Sequence, residues 1–461
     1  MTGMDGFLQR VAHAQRTSNV VQFRLGAQKV YMVSGERNIQ TINQPSHAIS
    51  PEVFFLQVMA HAWGASRQEL VKFEQVKSGR RRIPTPGREV KPGQPCLWHG
   101  QHQVYSEYLQ RADRANFLAA KYQQPFSERL AKQPLGEWTQ VSLKHFFETE
   151  MAEAALVALM GPRIIELNPG FWPAMWEFIQ AEPRLMWGLP WWLNAWPWKA
   201  RARFRAMCRK YVEAAAKTFD RTGPDADAEW EPHYGSRVAR ELVPWARQHL
   251  SVETTAGLVA TFIFGTNSNS VPLPTWAMME LIADPELYQA VREECLIASV
   301  ADPITGQRTF DLQKLLSMPL LQSVYTETLR LHVSINVTRE VTQPIRLDGY
   351  LLTAGSLVQA PSQIGQYNEA GWGTIFTMEG RGSLFFPFGG GSSICPGRVF
   401  AKQEILMTLA LLVTRFDIEL IGWTHLDGAK SRRRAENDRS CIGAVGIPPD
   451  QDLKVRWKRL W

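Results

Sequence analysis

This sequence predicts a mainly α-helical protein with small β-sheets, on three observations. Apolar residues recur at three-and-four spacing from Leu135 to about Cys295, as they must to line one face of a helix. Alternating stretches are confined to two places, one near the start and one after residue 336, which limits the sheet content. No Gly/Ser linker, low-complexity tract or internal repeat interrupts the 461 residues, so one large domain over 1–461 is expected.

The first element is VVQFRLGAQKVYMVSG, Val20 to Gly35, which reads as two strands joined by a turn at Gly26. Clusters of Pro and Gly around 162–173, 188–197 and 222–235 divide the helical pattern that follows into successive helices. The longest such segment, residues 251–291, is polar only in its middle and meets the breaker Asp284-Pro285. A buried helix with a polar kink is implied. Another helix follows Leu315, then short strands around an Asp348-Gly349 turn. A helix from near Arg398 to about Phe416 and a last hairpin in the tail, Cys441 to Trp461, complete the series.

With 45% hydrophobic and 21% charged residues, the composition is that of an ordinary folded body. The cysteines, Cys96, Cys208, Cys295, Cys395 and Cys441, are odd in number, widely spaced and without a C-x-x-C pair. This argues against a zinc site or a disulfide framework and fits a reducing compartment. A net charge of +7 is compatible with nucleic acid, an anionic membrane or an acidic protein. The basic residues are scattered and no nucleic-acid motif is present, so no nucleic-acid partner is expected.

No window approaches the ~20 apolar residues of a spanning helix, and no signal peptide opens the chain. The first strand begins about twenty residues in, so an N-terminal membrane anchor is expected to be absent. Trp187, Trp191, Trp192, Trp196 and Trp198 gather in one segment, and Arg and Lys residues follow as far as Tyr211. Indole rings with cationic stems suit a lipid headgroup zone. Peripheral membrane contact through residues 187–198 is therefore one reading, and a core corner beside a solvated helix face is the other.

The stretch FFPFGGGSSICPGRVF, Phe385 to Phe400, sets three glycines before a cysteine and Pro-Gly behind it. A cysteine at the amino end of a helix meets unpaired N–H groups that favour a thiolate. Pro396 suits a first helical position. Glycines 389 to 391 let the backbone turn tightly and approach a flat ligand. A phosphate-cradling loop would need Lys-Ser/Thr after the glycines, which is lacking.

Phe388, Gly391, Cys395, Gly397, Ala401 and Glu404 together fit F-x-x-G-x-x-x-C-x-G-x-x-x-A-x-x-E. This pattern resembles the haem-ligand signature of the cytochrome P-450 monooxygenases. The resemblance implies the P-450 fold and haem b, iron protoporphyrin IX. It makes the Cys395 thiolate the axial iron ligand and assigns Phe388, Gly391 and Gly397 to the cofactor loop. Glu327 and Arg330 match the family's E-x-x-R, a buried structural pair bracing that loop. Arg339 stands where a cation for a haem propionate is expected. Trp98 and His102 resemble the family's W-x-x-x-R propionate pair, with His in place of Arg.

The chain also departs from the family. Ser393 stands where relatives carry Arg or His, and Arg381 is only a guess for the P-E-R-F arginine. Ser268 and Asn269 occupy the place of an acid and an alcohol that relay protons during oxygen activation. Asn269, with Pro272 and Trp276 beyond it, resembles the branch of sterol 7-alpha/12-alpha-hydroxylases and prostacyclin synthase.

That branch contains two chemistries. The first reading is a monooxygenase, supplied with electrons from NADPH by a cytochrome reductase, that oxidises a lipophilic small molecule such as a sterol, terpenoid or other fused-ring natural product. The alternatives are a redox-neutral isomerase that needs neither O2 nor reductase, and a non-catalytic haem protein. The substrate pocket is expected to be roofed by Gly265 to Asn269, by Ser334, Ile335, Asn336 and Val337, and by Ile442 to Val445. Arg398 and Lys402 are candidates to face an acidic flavoprotein. For a eukaryotic source, the cytoplasmic face of the endoplasmic reticulum is the expected location.

Overall fold

Sheet and helix are interleaved along the chain. Contacts within the computed structural model, which describes residues 4–84, 87–301, 308–366, 383–441 and 444–461, divide it into two units. One comprises residues 1–108, 159–265 and 334–396, and the other comprises 109–158, 266–333 and 397–461.

In the first unit, strand Val20–Leu25 pairs antiparallel with Gln28–Val33 as predicted, turning at Gly26 with φ +61°. Gln28–Val33 then runs parallel to Leu357–Pro361, which pairs antiparallel with Val333–Val341, and Ile49–Ser50 lies on that last strand's other side. Period-two alternation puts Tyr31, Val33, Val337, Val341 and Val358 in one apolar layer. Ile39 and Ile42 of helix Glu36–Asn43 close it.

The expected turn is also present. Asp348 (φ 46°) and Gly349 (φ 79°) join Ile345–Leu347 to Tyr350–Leu352, and two consecutive positive φ values are what a two-residue hairpin of this hand requires. Helices Phe171–Leu185 and Ala195–Thr218 meet through Phe178 stacked on Phe204 at 5.3 Å. The tryptophan-rich segment joins them.

In the second unit, helix Ala112–Ala131 packs along Arg398–Arg415. The Tyr122 hydroxyl lies 2.5 Å from Thr408 Oγ1, and Gln403 donates to Asn116. The polar kink is a break in which Val252–Ser270 ends, Val271 turns, and Pro272–Ala283 begins. Pro272 and Pro274 have no N–H to continue the ladder. Because of this break, the 24-residue helix Ala195–Thr218 is longer than either part. Asp284 then caps the next helix, accepting from Leu287 N–H at 3.0 Å.

Two expectations need correction. The tail does not form a hairpin, because Asp452–Arg459 pairs with Phe416–Thr424 on one side and Trp138–Ser142 on the other. Neither partner was foreseen: the first continues directly from a helix, and the second sits inside a stretch read as helical. Pro396 is not helical either, since the helix starts at Arg398 behind Gly397. Among the described residues, no helix is long and apolar enough to cross a membrane.

Candidate active site

The glycine loop is shaped by what presses on it. Gly389 and Gly391 adopt φ +71° and +63°. A Cβ on Gly391 would lie 2.2 Å from the Asn43 carbonyl oxygen, and one on Gly390 would lie 2.5 Å from the Asn43 side-chain nitrogen. Sequence reasoning gave these glycines to a flat ligand, yet within the protein their close approach is to Asn43. Cys395 N–H closes the loop by donating to the Phe388 carbonyl at 2.9 Å. The carbonyl of Gly390 accepts from both Arg339 (2.9 Å) and Ser393 (3.2 Å). Ser393, standing where relatives have a cation, thus ties the loop to itself.

Cys395 is half-buried and Gly391 is exposed. Cys208 and Cys295 differ: both are sealed in the core, and burial pushes the Cys295 thiol up to about 12 and Cys208 further. Of these three, only Cys395 is positioned to offer its sulfur to a ligand.

Arg339 is buried, and burial lowers its pKa to about 10, so it remains a cation at neutral pH. Besides Gly390, it donates to Asn43 Oδ1 and to its neighbour Thr338's carbonyl. Trp98 is buried too, but its indole N–H is spent on the Phe73 carbonyl at 3.1 Å, so the ring offers this site a face rather than a donor. Burial, with Arg80 and His99 nearby, lowers His102 to about 4, which keeps it neutral at pH 7.

Arg80 was not singled out from the sequence. It lines one cavity with Arg339 and Ser392 and a second, of about 390 Å³, with His102 and Gly391. The run Arg80-Arg81-Arg82 was the available signal.

Gly265 is exposed in a mostly buried stretch of helix, and a Cβ there would meet nothing within 4 Å among the described residues. The helix therefore passes an open space at that point. Further along, Asn269 Oδ1 accepts from Gly446 N–H at 2.8 Å and its Nδ2 donates to Ser268 Oγ at 3.3 Å. Trp276 donates to the Ile447 carbonyl and stacks on His332 with centroids 4.1 Å apart. The residues that resembled a family branch thus clamp the C-terminal segment.

Glu327 and Arg330 form the expected pair with two hydrogen bonds, at 2.8 and 2.6 Å. The Glu327 side chain is 43% exposed, so the pair is not fully buried as expected. Strand geometry also divides the predicted pocket wall. Ile335 and Val337 pack with the sheet core, while Ser334 and Asn336 fall on the opposite face. Asn336 Oδ1 is buried and, among the described residues, accepts no hydrogen bond. Lys402 is half-buried, with its ammonium 6.0 Å over the Tyr325 ring. Arg381 and Ile442 lie outside the described residues, as do the side chains of Ala444 and Val445.

These residues fit a haem. A thiol accessible in a closed loop, two guanidiniums lining cavities beside that loop, and an open space along a buried helix supply a soft iron ligand, carboxylate partners and room.

The comparisons with known proteins agree. A family model for cytochrome P450 matches residues 174–426. The chain is 70% identical over 482 residues to cytochrome P450 monooxygenase calL of Penicillium decumbens, covering 100% of this chain and 90% of that protein. It is 27% identical to cytochrome P450 monooxygenase fsoE of Humicola fuscoatra, over 100% of this chain and 84% of that one. It is also 27% identical to cytochrome P450 7A1 of Sus scrofa, over 47% of this chain and 48% of that protein. The sulfur in its glycine loop, the cations beside it and these likenesses place this chain in the cytochrome P450 family of haem-thiolate monooxygenases.

Proposed function

We propose that this protein oxidises an unactivated carbon of a lipophilic small molecule in biosynthesis, a sterol, terpenoid or other fused-ring compound, with electrons from NADPH delivered by a cytochrome reductase. The observation that carries the reading is the open space beside Gly265, with Phe262 one turn earlier on the same helix face and stacked on Tyr105 at 5.9 Å. Apolar walls with few polar groups suit such substrates. Asn336 Oδ1, buried and without a hydrogen-bond partner among the described residues, is available to hold a single substrate hydroxyl.

When bound, the haem supplies oxygen activation, with Cys395 holding its iron and Arg339 beside its carboxylates. Neither Ser268 nor Asn269 is an acid, so protons pass through the Ser268 hydroxyl and ordered water, while Asn269, fastened to Gly446, keeps that hydroxyl oriented.

The test is turnover of a bound substrate with and without reductase, NADPH and O2. Turnover that needs none of the three would overturn the proposal in favour of a rearrangement. Cys395→Ser provides the control and is expected to lose the thiolate-type absorbance of the ferrous carbonyl complex.

Membrane contact belongs to the same proposal. Trp187, Trp191 and Trp192 are 66%, 64% and 68% exposed, side by side with exposed Leu189 and Leu193. Trp196 and Trp198 instead lie under Arg184 and Arg201 at 5.1 and 4.4 Å. An apolar tip with cation-covered indoles behind it suits a headgroup layer, here assigned to the cytoplasmic face of the endoplasmic reticulum.

A further inference from the structure

A threonine inside a helix commonly satisfies its hydroxyl on the carbonyl four residues back. Thr255, Thr275, Thr328 and Thr408 all do so here. Thr261, in the middle of helix Val252–Ser270, does not: its Oγ1 is buried and, among the described residues, has no hydrogen-bond partner.

The helix face that carries Thr261 can be followed over three turns. Four residues earlier is Gly257, where a Cβ would collide with the backbone of Trp63. Four residues later is Gly265, beside the open space. Thr261 therefore stands where the packed part of this face gives way to the open part, roughly 6 Å along the axis from Gly265.

A second buried group lacks a partner at the same level. Glu182 is 5% exposed and makes no hydrogen bond or ion pair among the described residues. It shares the buried face of helix Phe171–Leu185 with Phe178, one turn earlier. Phe178 meets Phe264 edge-on at 6.4 Å. Just past the other end of the helix, a Cβ on Gly188 would lie 3.3 Å from the His61 ring, and His61 belongs with Trp63 to the short helix Met59–Trp63. Helix Phe171–Leu185 thus passes from the level of Phe264 towards that of Gly257, which brings Glu182 level with Thr261.

Burial alone raises the Glu182 pKa to about 7, so its carboxyl is neutral about as often as ionised at neutral pH. A buried carboxyl and a buried hydroxyl without partners both cost stability until a ligand group completes them. A ketone can only accept and an ammonium can only donate. A hydroxyl does both, and so serves either state of the acid.

We propose that Glu182 and Thr261 together hold a substrate hydroxyl of their own, apart from Asn336 and one helical turn away from Gly265, and so select hydroxylated molecules among lipophilic ones. This rests on the lipophilic substrate proposed above and adds one polar group to it.

The test uses the haem-loaded protein and a set of sterols and terpenoid alcohols, each paired with the deoxy and keto forms of the same skeleton. Affinity is read from the low-to-high-spin shift of the Soret band. At least one alcohol is expected to bind roughly tenfold more tightly than its deoxy and keto partners, the worth of one or two buried hydrogen bonds. That preference should fall about threefold in Thr261→Val and disappear in Glu182→Met, while the deoxy skeleton binds as before.

An alcohol preference that survives both substitutions would overturn the proposal, as would deoxy skeletons that bind as tightly as their alcohols. Either result leaves the lipophilic-substrate reading standing, whereas no spin shift with any member of the set would remove both. Thermal unfolding without ligand is an independent check. Glu182→Met deletes a buried carboxyl that has no partner, so its midpoint should rise. A lower midpoint would mean that the carboxyl braces the fold, and the subsite would be lost with it.

Discussion

Glu404 closes the cysteine signature and is buried to 1% exposure. Burial raises its pKa to about 8 against the opposing hydrogen bond with Ser270, and Oε1 has no hydrogen-bond partner among the described residues. The folded protein therefore holds this proton more tightly than the unfolded chain does. Stability is undiminished below the unfolded pKa near 4.5 and falls as pH rises towards the folded value near 8. Glu404→Gln removes that loss. Thermal unfolding at a series of pH values should show the variant gaining on the unaltered protein between about pH 5 and 9, by a few kcal/mol at the upper end. Parallel curves would show that the carboxyl is not held protonated.

Among the elements, one carboxylate fastens two helix starts. Glu69 forms the capping box of Arg67–Gln75 with Ser66. It also accepts from Ser251 N–H and from the Thr254 hydroxyl, at the start of Val252–Ser270. Burial alone would raise its pKa, but these hydrogen bonds outweigh that and bring it to about 2. Its stabilisation is present above the unfolded pKa and lost as pH falls towards 2. Glu69→Gln should cost about 2 kcal/mol at neutral pH in denaturant unfolding, with the gap closing in acid. The elements legible in the sequence were those set by local rules: the first hairpin, the Asp348-Gly349 turn, the break before Pro272 and the helix after Cys395. The strand partners of the tail were not legible, because which strands pair is decided by segments far apart in the chain. Arg80 was missed for a related reason: the run Arg80-Arg81-Arg82 was visible, but that Phe55 and Trp98 lie beneath its first member is decided by segments far apart in the chain. The cysteine, by contrast, was found because the contiguous pattern from Phe388 to Glu404 resembles a family signature.

For the molecule as a whole, the exposed tryptophan tip and the net charge of +7 both favour an anionic surface. Cosedimentation with phosphatidylserine-containing vesicles should fall severalfold in a Trp191→Ser/Trp192→Ser double variant while the ferrous carbonyl spectrum is retained. Equal binding by the two proteins would remove the tip as a membrane contact. The clasp of Arg339 on Asn43 joins residues 296 positions apart, and the Gly390 carbonyl that Arg339 also grips lies 51 positions further on. During synthesis, the segment carrying Asn43 must wait for one made about 300 residues later, so a ribosome-bound chain has no finished seat for its pigment until Gly390 has been added. Cells starved of porphyrin should accordingly accumulate full-length colourless protein rather than stalled, partly loaded fragments.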